Sequence, residues 1–417
     1  MLSLMRLKRS ITVFAIMAMV FSCSSSHKVK FPNEVDTKNK NIGFQNKKIL
    51  HFSEFGIYIS NDFEGARLNK ISSLNDSTLL LEVLPENTPI NNSAYFAFKT
   101  WASNEKEVYF QFNYPKGYKH RYVPKYKTAD KSWVQADSTI FSLKDTTAIL
   151  KFNVIKDTTL IAAQEVQTSQ DVKDWYTGLT KKNESITQLK NIGKTHFGRD
   201  IPMLDIYSGS KANKDIIVLL TRQHPPEVTG YFAFQSFLET ILQSGELRDN
   251  FLKNYRVIAF PLMNPDGVDL GHWRHNGKGV DLNRDWGRYR QPEVLAVTKQ
   301  IESIVKEEHV KVLLGLDFHS TWKDVFYTNV QRENTNLPNF IENWFSGLEA
   351  GIPDYVVNEK SATSTKPVSK GWFLKRHNAV GITYEIGDET PRDFITLKGK
   401  VSAYEMMKLL TEQQLNK

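Results

Sequence analysis

Between about Leu50 and Gln164 the chain alternates short apolar runs with polar breaks. Leu79–Leu84, Ala94–Trp101, Val108–Tyr114, Ala148–Val154 and Thr159–Ala163 are aliphatic, β-branched or aromatic stretches of strand length. Asn, Asp, Pro, Gly and Lys separate them, as turn chemistry requires. Val108-Tyr109-Phe110-Gln111-Phe112 partly alternates, as a strand with one face on a core does. Several such strands without a convincing helix predict a small β-sandwich over 49–165.

The pattern changes near Asp171. Strand-like Pro202–Tyr207, Ile216–Thr221, Val257–Leu262, Val310–Leu316 and Val380–Glu385 now alternate with helix-like stretches. Those are Pro226–Gln243, Pro292–Glu308, Asn339–Leu348 and Ser402–Leu410. Strands alternating with helices predict an α/β sheet covered on both faces, over 171–417. In such sheets function concentrates at the carboxyl ends of strands. No internal repeat interrupts this two-part organisation.

The first residues have a different logic. Met1–Ser10 carries Arg6, Lys8 and Arg9, and Ile11–Phe21 carries no charge. That apolar run is shorter than the ~20 residues that cross a bilayer as a helix. A basic stretch, a short apolar run and a small residue read as a secretory leader over 1–22. Val20-Phe21-Ser22-Cys23 resembles the bacterial lipobox, which makes Cys23 the candidate lipidation site. Ser24-Ser25-Ser26 and a Lys- and Asn-rich stretch predict a solvated tether over 23–48. The expectation is a body lipid-anchored to a bacterial membrane and facing an extracytoplasmic compartment.

Composition narrows the rest. At 417 residues, with 40% hydrophobic and 24% charged, the chain is neither disordered nor collagen-like. Its net charge of +8 would fall to +5 without the leader. No basic stripe with interleaved aromatics accompanies it, which argues against nucleic acid. A single cysteine excludes a disulfide framework.

A histidine and a glutamate three residues apart arise readily by chance, and the chain has two such pairs. His51/Glu54 opens the β-rich region with no helix start behind it. His224/Glu227 follows the apolar run Ile216–Leu220 and brackets Pro225-Pro226, and proline suits a helix's first turn. That places His224 on the loop after a strand and Glu227 in the first helical turn, their side chains able to converge. His224 and Glu227 are therefore the candidate metal ligands. A zinc site needs a third protein ligand and an open position. His319, at the end of the strand-like run before it, supplies that ligand from the same sheet edge.

His224-x-x-Glu227, Asn264-Pro265-Asp266-Gly267, Gly279–Arg284, His319-Ser320 and Thr383-Tyr384-Glu385 resemble, in that order, the motifs of zinc metallocarboxypeptidases related to carboxypeptidase A. The resemblance covers about Asp171 to Leu410. Phe63-Glu64-Gly65-Ala66-Arg67-Leu68 and a β-domain before the catalytic one are similar to the layout of the cytosolic carboxypeptidase group. Eukaryotic members of that group remove glutamates from protein tails. The resemblance implies a mixed sheet covered by helices and one Zn²⁺ per chain on His224, Glu227 and His319.

It also implies Glu385 as general base and Arg274 as the cation stabilising the tetrahedral oxyanion. Asn283 and Arg284 would clamp the substrate's terminal carboxylate, and Asp281 would fix the tautomer of His224. Counting back from Glu385 puts Lys370 at the floor of the side-chain pocket, where a cation would favour an acidic last residue. The mobile tyrosine of the digestive enzymes has no counterpart in Ser361–Trp372, and Tyr355 is too distant to align.

The expected activity is hydrolysis of a peptide bond next to a free carboxylate, with a peptide or cell-wall peptide as substrate. Cell-wall peptide amidases and N-acyl amino acid deacylases use the same scaffold and are the alternative. A non-catalytic zinc-binding lipoprotein is the rival of another class.

Overall fold

The structure is a computed structural model that describes residues 28–129 and 131–415. The leader and Cys23 lie outside these described residues. The β-rich part comprises β1 (Ile49–Phe52), β2 (Ile57–Ser60), β3 (Lys70–Asn75), β4 (Thr78–Glu82), β5 (Ala97–Ala102) and β6 (Lys106–Asn113). It continues with β7 (Lys125–Thr128), β8 (Val134–Gln135), β9 (Phe141–Lys144), β10 (Thr147–Val154) and β11 (Thr159–Ala162). One sheet runs β1-β2-β5-β11-β7-β8 and the other β3-β4-β6-β10-β9. Alternation explains the sandwich: β6 and β10 bury every second residue, and Phe110 of β6 meets Phe98 of β5 edge-on at 5.4 Å across the sheets.

The second part opens with α1 (Ser169–Lys182), capped reciprocally by Thr168 and Asp171. Its sheet contains β12 (Thr187–Lys194), β13 (Asp200–Ile206), β14 (Asp215–Thr221), β15 (Tyr255–Phe260), β16 (Val312–Thr321), β17 (Val325–Thr328), β18 (Glu359–Ser361) and β19 (Val380–Gly387). Their order is β12-β13-β15-β14-β16-β19-β17-β18. The four central strands β15, β14, β16 and β19 are parallel and the flanks mixed. Being covered on both faces, they read as continuous apolar runs.

The helices are α2 (Val228–Leu242), α3 (Glu246–Asn254), α4 (Pro265–Asp269), α5 (Pro292–Glu308), α6 (Phe340–Gly351), α7 (Ser369–His377) and α8 (Arg392–Leu415). α2, α6 and α8 bury one face of the sheet around Phe237, Phe318, Trp344 and Met406. α5 and α7 bury the other around Trp286, Val297 and Trp372. Among the described residues no helix is long and apolar enough to cross a membrane.

Residues 28–48 differ from the expected solvated tether: they run as a strap across both parts. Phe31 is buried in the cluster of Trp286 and Trp372. Thr37 donates its hydroxyl to Asp285 Oδ1 at 2.5 Å, and the Gln291 side chain donates to Thr37 O at 2.7 Å. Asn33 N–H reaches Thr365 O at 2.8 Å, and Gly43 N–H reaches Glu86 O at 2.7 Å. A polar composition does not keep a segment solvated when its backbone and one aromatic find partners.

Candidate active site

β14 ends at Thr221, and the loop behind it carries His224. Pro225 and Pro226 lie in that loop, so Glu227 caps α2 and does not sit in its first turn as expected. Pro226 O accepts the Val228 N–H at 2.9 Å, which turns the chain into the helix. On the neighbouring strand, β16 continues to Thr321, leaving His319 two residues short of its end. The parallel register with β19 sets Glu385 directly beside His319. The imidazole of His319 and the carboxyl of Glu385 thus share one face of the sheet edge through register alone.

Gly230 lets α2 press onto that edge. A Cβ there would lie 2.3 Å from His319 O, so no other residue allows the approach without a shift. Ser320 Oγ accepts the Gly230 N–H at 2.9 Å and the Thr229 hydroxyl at 2.8 Å, pinning the helix start to the strand.

The three buried side chains converge, with ligand atoms all within 4.8 Å of one another. His224 Nδ1 faces Glu227 Oε1 at 2.8 Å, and His319 Nδ1 faces Glu227 Oε2 at 2.6 Å. The opposite nitrogens are committed as donors: His224 Nε2–H to Asp281 Oδ1 at 2.9 Å, and His319 Nε2–H to Asp317 Oδ2 at 2.8 Å. Those partners make both Nδ1 atoms acceptors, aimed at a carboxylate that also only accepts. Three acceptors meeting in a buried space require positive charge between them. The same demand appears in the pKa values. Burial opposes charge on Glu227 and His319, yet His224 and then His319 hold Glu227 far below the carboxylate range, while Asp317 and then Glu227 hold His319 well above the ordinary imidazole.

Asp281 joins two functions. Its Oδ1 also accepts the Asn283 N–H at 2.9 Å, and its Oδ2 accepts Arg274 Nε–H at 2.7 Å. Asp317 was not singled out from sequence, although a lone acid in the apolar run 312–318, two positions before His319, lies on the same strand face. Its Oδ2 also accepts from Gln223 Nε2 at 2.6 Å and from the Ser369 hydroxyl. Glu385 has a buried Oε2 without a hydrogen-bond partner. Burial, then the Glu227 charge, pushes its pKa up to about 8 against the pull of His319 and Arg274.

The metal trio, Arg274 and Glu385 open onto one cleft of about 850 Å³. His224, Glu227, Arg274, Asn283, Arg284, His319, Lys370 and Glu385 line it together. Asn283 Oδ1 accepts the Ser369 N–H at 2.9 Å, and Arg284 donates only to Asn283 O at 2.7 Å. Among the described residues no carboxylate pairs with Arg284. Lys370 is 8% exposed and donates to Thr328 O, Ala362 O and Asn329 Oδ1, all neutral, with its pKa pulled down to about 8 by burial. The β-sandwich contributes Asn92, Lys119 and Arg121 to the opposite wall, and Tyr327 of β17 brings a phenol into the cleft from an element the sequence reading passed over. His51 lies apart, stacked on Tyr58 at 4.3 Å on a sandwich strand, and Glu54 takes the Ser73 hydroxyl at 2.6 Å.

The model of a family described as zinc carboxypeptidase matches residues 172–404. The chain belongs to that family. Zinc is the family's metal, and the buried His-Glu-His trio, with both outer imidazole nitrogens tied to aspartates, fits it. Cytosolic carboxypeptidase-like protein 5 of Homo sapiens is 39% identical over 85 residues, 20% of this chain and 9% of that protein. Cytosolic carboxypeptidase 2 of Xenopus tropicalis is 31% identical over 144 residues, 32% of this chain and 14% of that protein. The chain therefore matches only a small fraction of these relatives' lengths. A metallo-carboxypeptidase from Burkholderia cenocepacia has the same fold at a TM-score of 0.70 and 16% identity, covering 86% of this chain and 99% of the other. That coverage takes in both parts of the molecule, the β-sandwich included.

Proposed function

We propose that the chain is a metallocarboxypeptidase that removes the last residue of a peptide and prefers an acidic one. The observation that carries the reading is Arg284, a cation without a carboxylate partner among the described residues, in one cleft with the metal trio and Glu385. A planar guanidinium takes a carboxylate in bidentate fashion, and Asn283 beside it adds a donor.

His224, Glu227 and His319 hold the zinc, which when bound supplies Lewis-acid chemistry, lowering a water's pKa and polarising a carbonyl. Glu385 takes the water's proton and returns it to the leaving amine. Its raised pKa and unpartnered oxygen suit a group that must both accept and give. Arg274, oriented by Asp281, offers its charge to the oxyanion, a contribution of about 3 kcal/mol for a preorganised group.

Specificity follows from Lys370. Three neutral oxygens surround its ammonium, so an acidic side chain would supply the missing counter-charge. Six cations line the cleft, namely Lys119, Arg121, Arg274, Arg284, Lys366 and Lys370, against two carboxylates. Lipidation at Cys23 and an extracytoplasmic location belong to the same proposal, supported by the leader pattern.

A panel of peptides with varied last residues tests it. Glu-ending peptides are cleaved fastest and Lys-ending ones slowest, with like-charge repulsion costing about 1–3 kcal/mol. Lys370→Glu reverses the charged pair, and amidating the C-terminus abolishes cleavage. Equal rates on amidated and free-acid peptides would refute the carboxypeptidase reading; a flat last-residue profile, unchanged in Lys370→Glu, would refute the acid preference alone.

A further inference from the structure

Glu86 belongs to the β-sandwich, yet it is 1% exposed and faces the other part of the molecule. Its carboxylate accepts three successive backbone N–H groups: Trp273 on Oε2 at 2.8 Å, then Arg274 at 3.1 Å and His275 at 2.7 Å on Oε1. Consecutive N–H groups curled around an anion form a concave nest, and a buried carboxylate gains most from it because no water competes. Behind Glu86 stands Arg67, also 1% exposed, whose Nη2 lies 4.0 Å from Oε2 and whose Nε–H is tied to Leu84 O at 2.8 Å.

Trp273, adjacent to Arg274, has its indole in the hydrophobic core of the β-sandwich, edge-on to Tyr118 at 5.5 Å. Asn87, next to Glu86, accepts His275 Nδ1–H on its Oδ1 at 2.6 Å and donates its amide N–H to Gly279 O at 3.0 Å. Where the two parts touch, Gly65 N–H donates to Asp269 O at 2.7 Å. A Cβ on Gly271 would lie 2.2 Å from Ala66 O. The segment Phe63–Leu68 therefore docks on the turn that launches the arginine loop, which accounts for a motif the zinc chemistry leaves unused.

We propose that Glu86, backed by Arg67, is a positioning residue through which the β-sandwich sets the backbone that aims Arg274 into the cleft. The inference rests on the reading of Arg274 as the oxyanion's partner. The sandwich is then a working half of the active site and not an appendage. Glu86 touches no reacting atom; it acts through the peptide groups on either side of Arg274.

Glu86→Gln tests this in the full chain. Glutamine keeps an acceptor for two of the N–H groups but presents an NH₂ to the third, which displaces the loop at Trp273. A displacement of about 1 Å at a catalytic group costs up to about 100-fold in rate. The expected result is a 10- to 100-fold fall in kcat, KM within threefold of wild type, and unchanged zinc stoichiometry. Placed in an Arg274→Ala background, Glu86→Gln produces no further fall in kcat, whereas a merely structural role would add its own loss. If Glu86→Gln does not fold, Arg67→Lys, which keeps the charge and drops the bond to Leu84 O, is expected to lower kcat alone by a smaller factor. Wild-type kcat in Glu86→Gln, or additive losses in the double variant, would overturn the proposal. The same holds for wild-type kcat in Arg67→Lys. Wild-type kcat in Arg274→Ala alone would instead overturn the reading on which it rests.

Discussion

Replacing Asp317 by asparagine isolates what a buried charge behind one proposed metal ligand contributes. Asp317 is fully buried and holds His319 Nε2–H at 2.8 Å while also serving Gln223 and Ser369. Asparagine keeps the shape and removes the charge. All three donors meet on Oδ2 while Oδ1 has no hydrogen-bond partner, so the amide oxygen can stand in for Oδ2 with the NH₂ where Oδ1 stood. His319 Nε2–H keeps an acceptor but loses the negative charge that raises the basicity of Nδ1, the atom turned toward Glu227. Losing such an outer partner costs 10- to 100-fold in metal affinity, about 1.4–2.7 kcal/mol. Competition against a chromophoric chelator measures the zinc Kd directly. Because Asp317 contacts neither Arg274 nor Glu385, kcat should recover once zinc is saturating. Asp281→Asn provides the contrast: Asp281 also holds Arg274 at 2.7 Å, so its kcat should stay low at any zinc concentration. An unchanged zinc Kd in Asp317→Asn would refute the argument that the Asp317 charge supports His319 as a ligand.

Glu385→Gln should retain zinc and fold while kcat falls by roughly 10²–10⁴. Since the base works ionised, kcat/KM should rise with pH through its pKa; burial pushes that pKa up from 4.5 toward about 8 and the metal's charge pulls it back, so the acid limb should fall between those values and vanish in Glu385→Gln. Gly230→Ala would force a methyl to 2.3 Å from His319 O, so α2 must lift and carry Glu227 with it; a loss of about 1–3 kcal/mol in stability and a weaker zinc Kd are expected from melting and titration, and a wild-type Kd would refute the close-contact reading. Arg284→Ala should raise KM strongly with a smaller change in kcat, because a terminal carboxylate is present in both ground and transition states; an unchanged KM in steady-state assays would remove Arg284 from the clamp.

What the sequence revealed, it revealed where chemistry and local pattern coincide. β14, β16 and β19 are continuous apolar runs, so their ends, and with them His224, His319 and Glu385, could be located without knowing the sheet order. Elements with mixed patterns escaped. β3 is largely exposed, and β8 is two residues long. α7 reads Ser-Lys-Gly-Trp-Phe-Leu-Lys-Arg-His, too basic and too short for a clear period. α8 begins at Arg392, ten residues before the expected start, because Lys398 breaks the apolar face. That lysine is buried and neutralised by Asp324 at 2.9 Å, a partner 74 residues away. Glu86 was invisible for the same reason. Leu84-Pro85-Glu86-Asn87 reads as turn chemistry, and its partners lie 187 to 189 residues downstream.

The division of labour in the cleft follows from these distances. The proposed metal ligands and base sit on or beside the central parallel strands, where register alone fixes their spacing. The groups proposed to meet substrate sit on loops, and a loop holds an aim only when something outside it supplies the constraint. For Arg274 that constraint is Glu86. For the Asn283-Arg284 loop it is the strap, because Thr37 ties down Asp285 and Gln291 while Phe31 packs beneath Trp286 and Trp372. Thr365, on the rim beside Lys366, is held by Asn33. Among the described residues N-terminal to α1, Glu86 and the strap thus bear on the groups proposed for transition-state charge and recognition, and none belongs to the metal trio. Perturbing the sandwich at Glu86 should therefore lower kcat and perturbing the strap should raise KM, each with zinc left in place, whereas perturbing His224, Glu227, His319 or the groups that hold them should cost zinc.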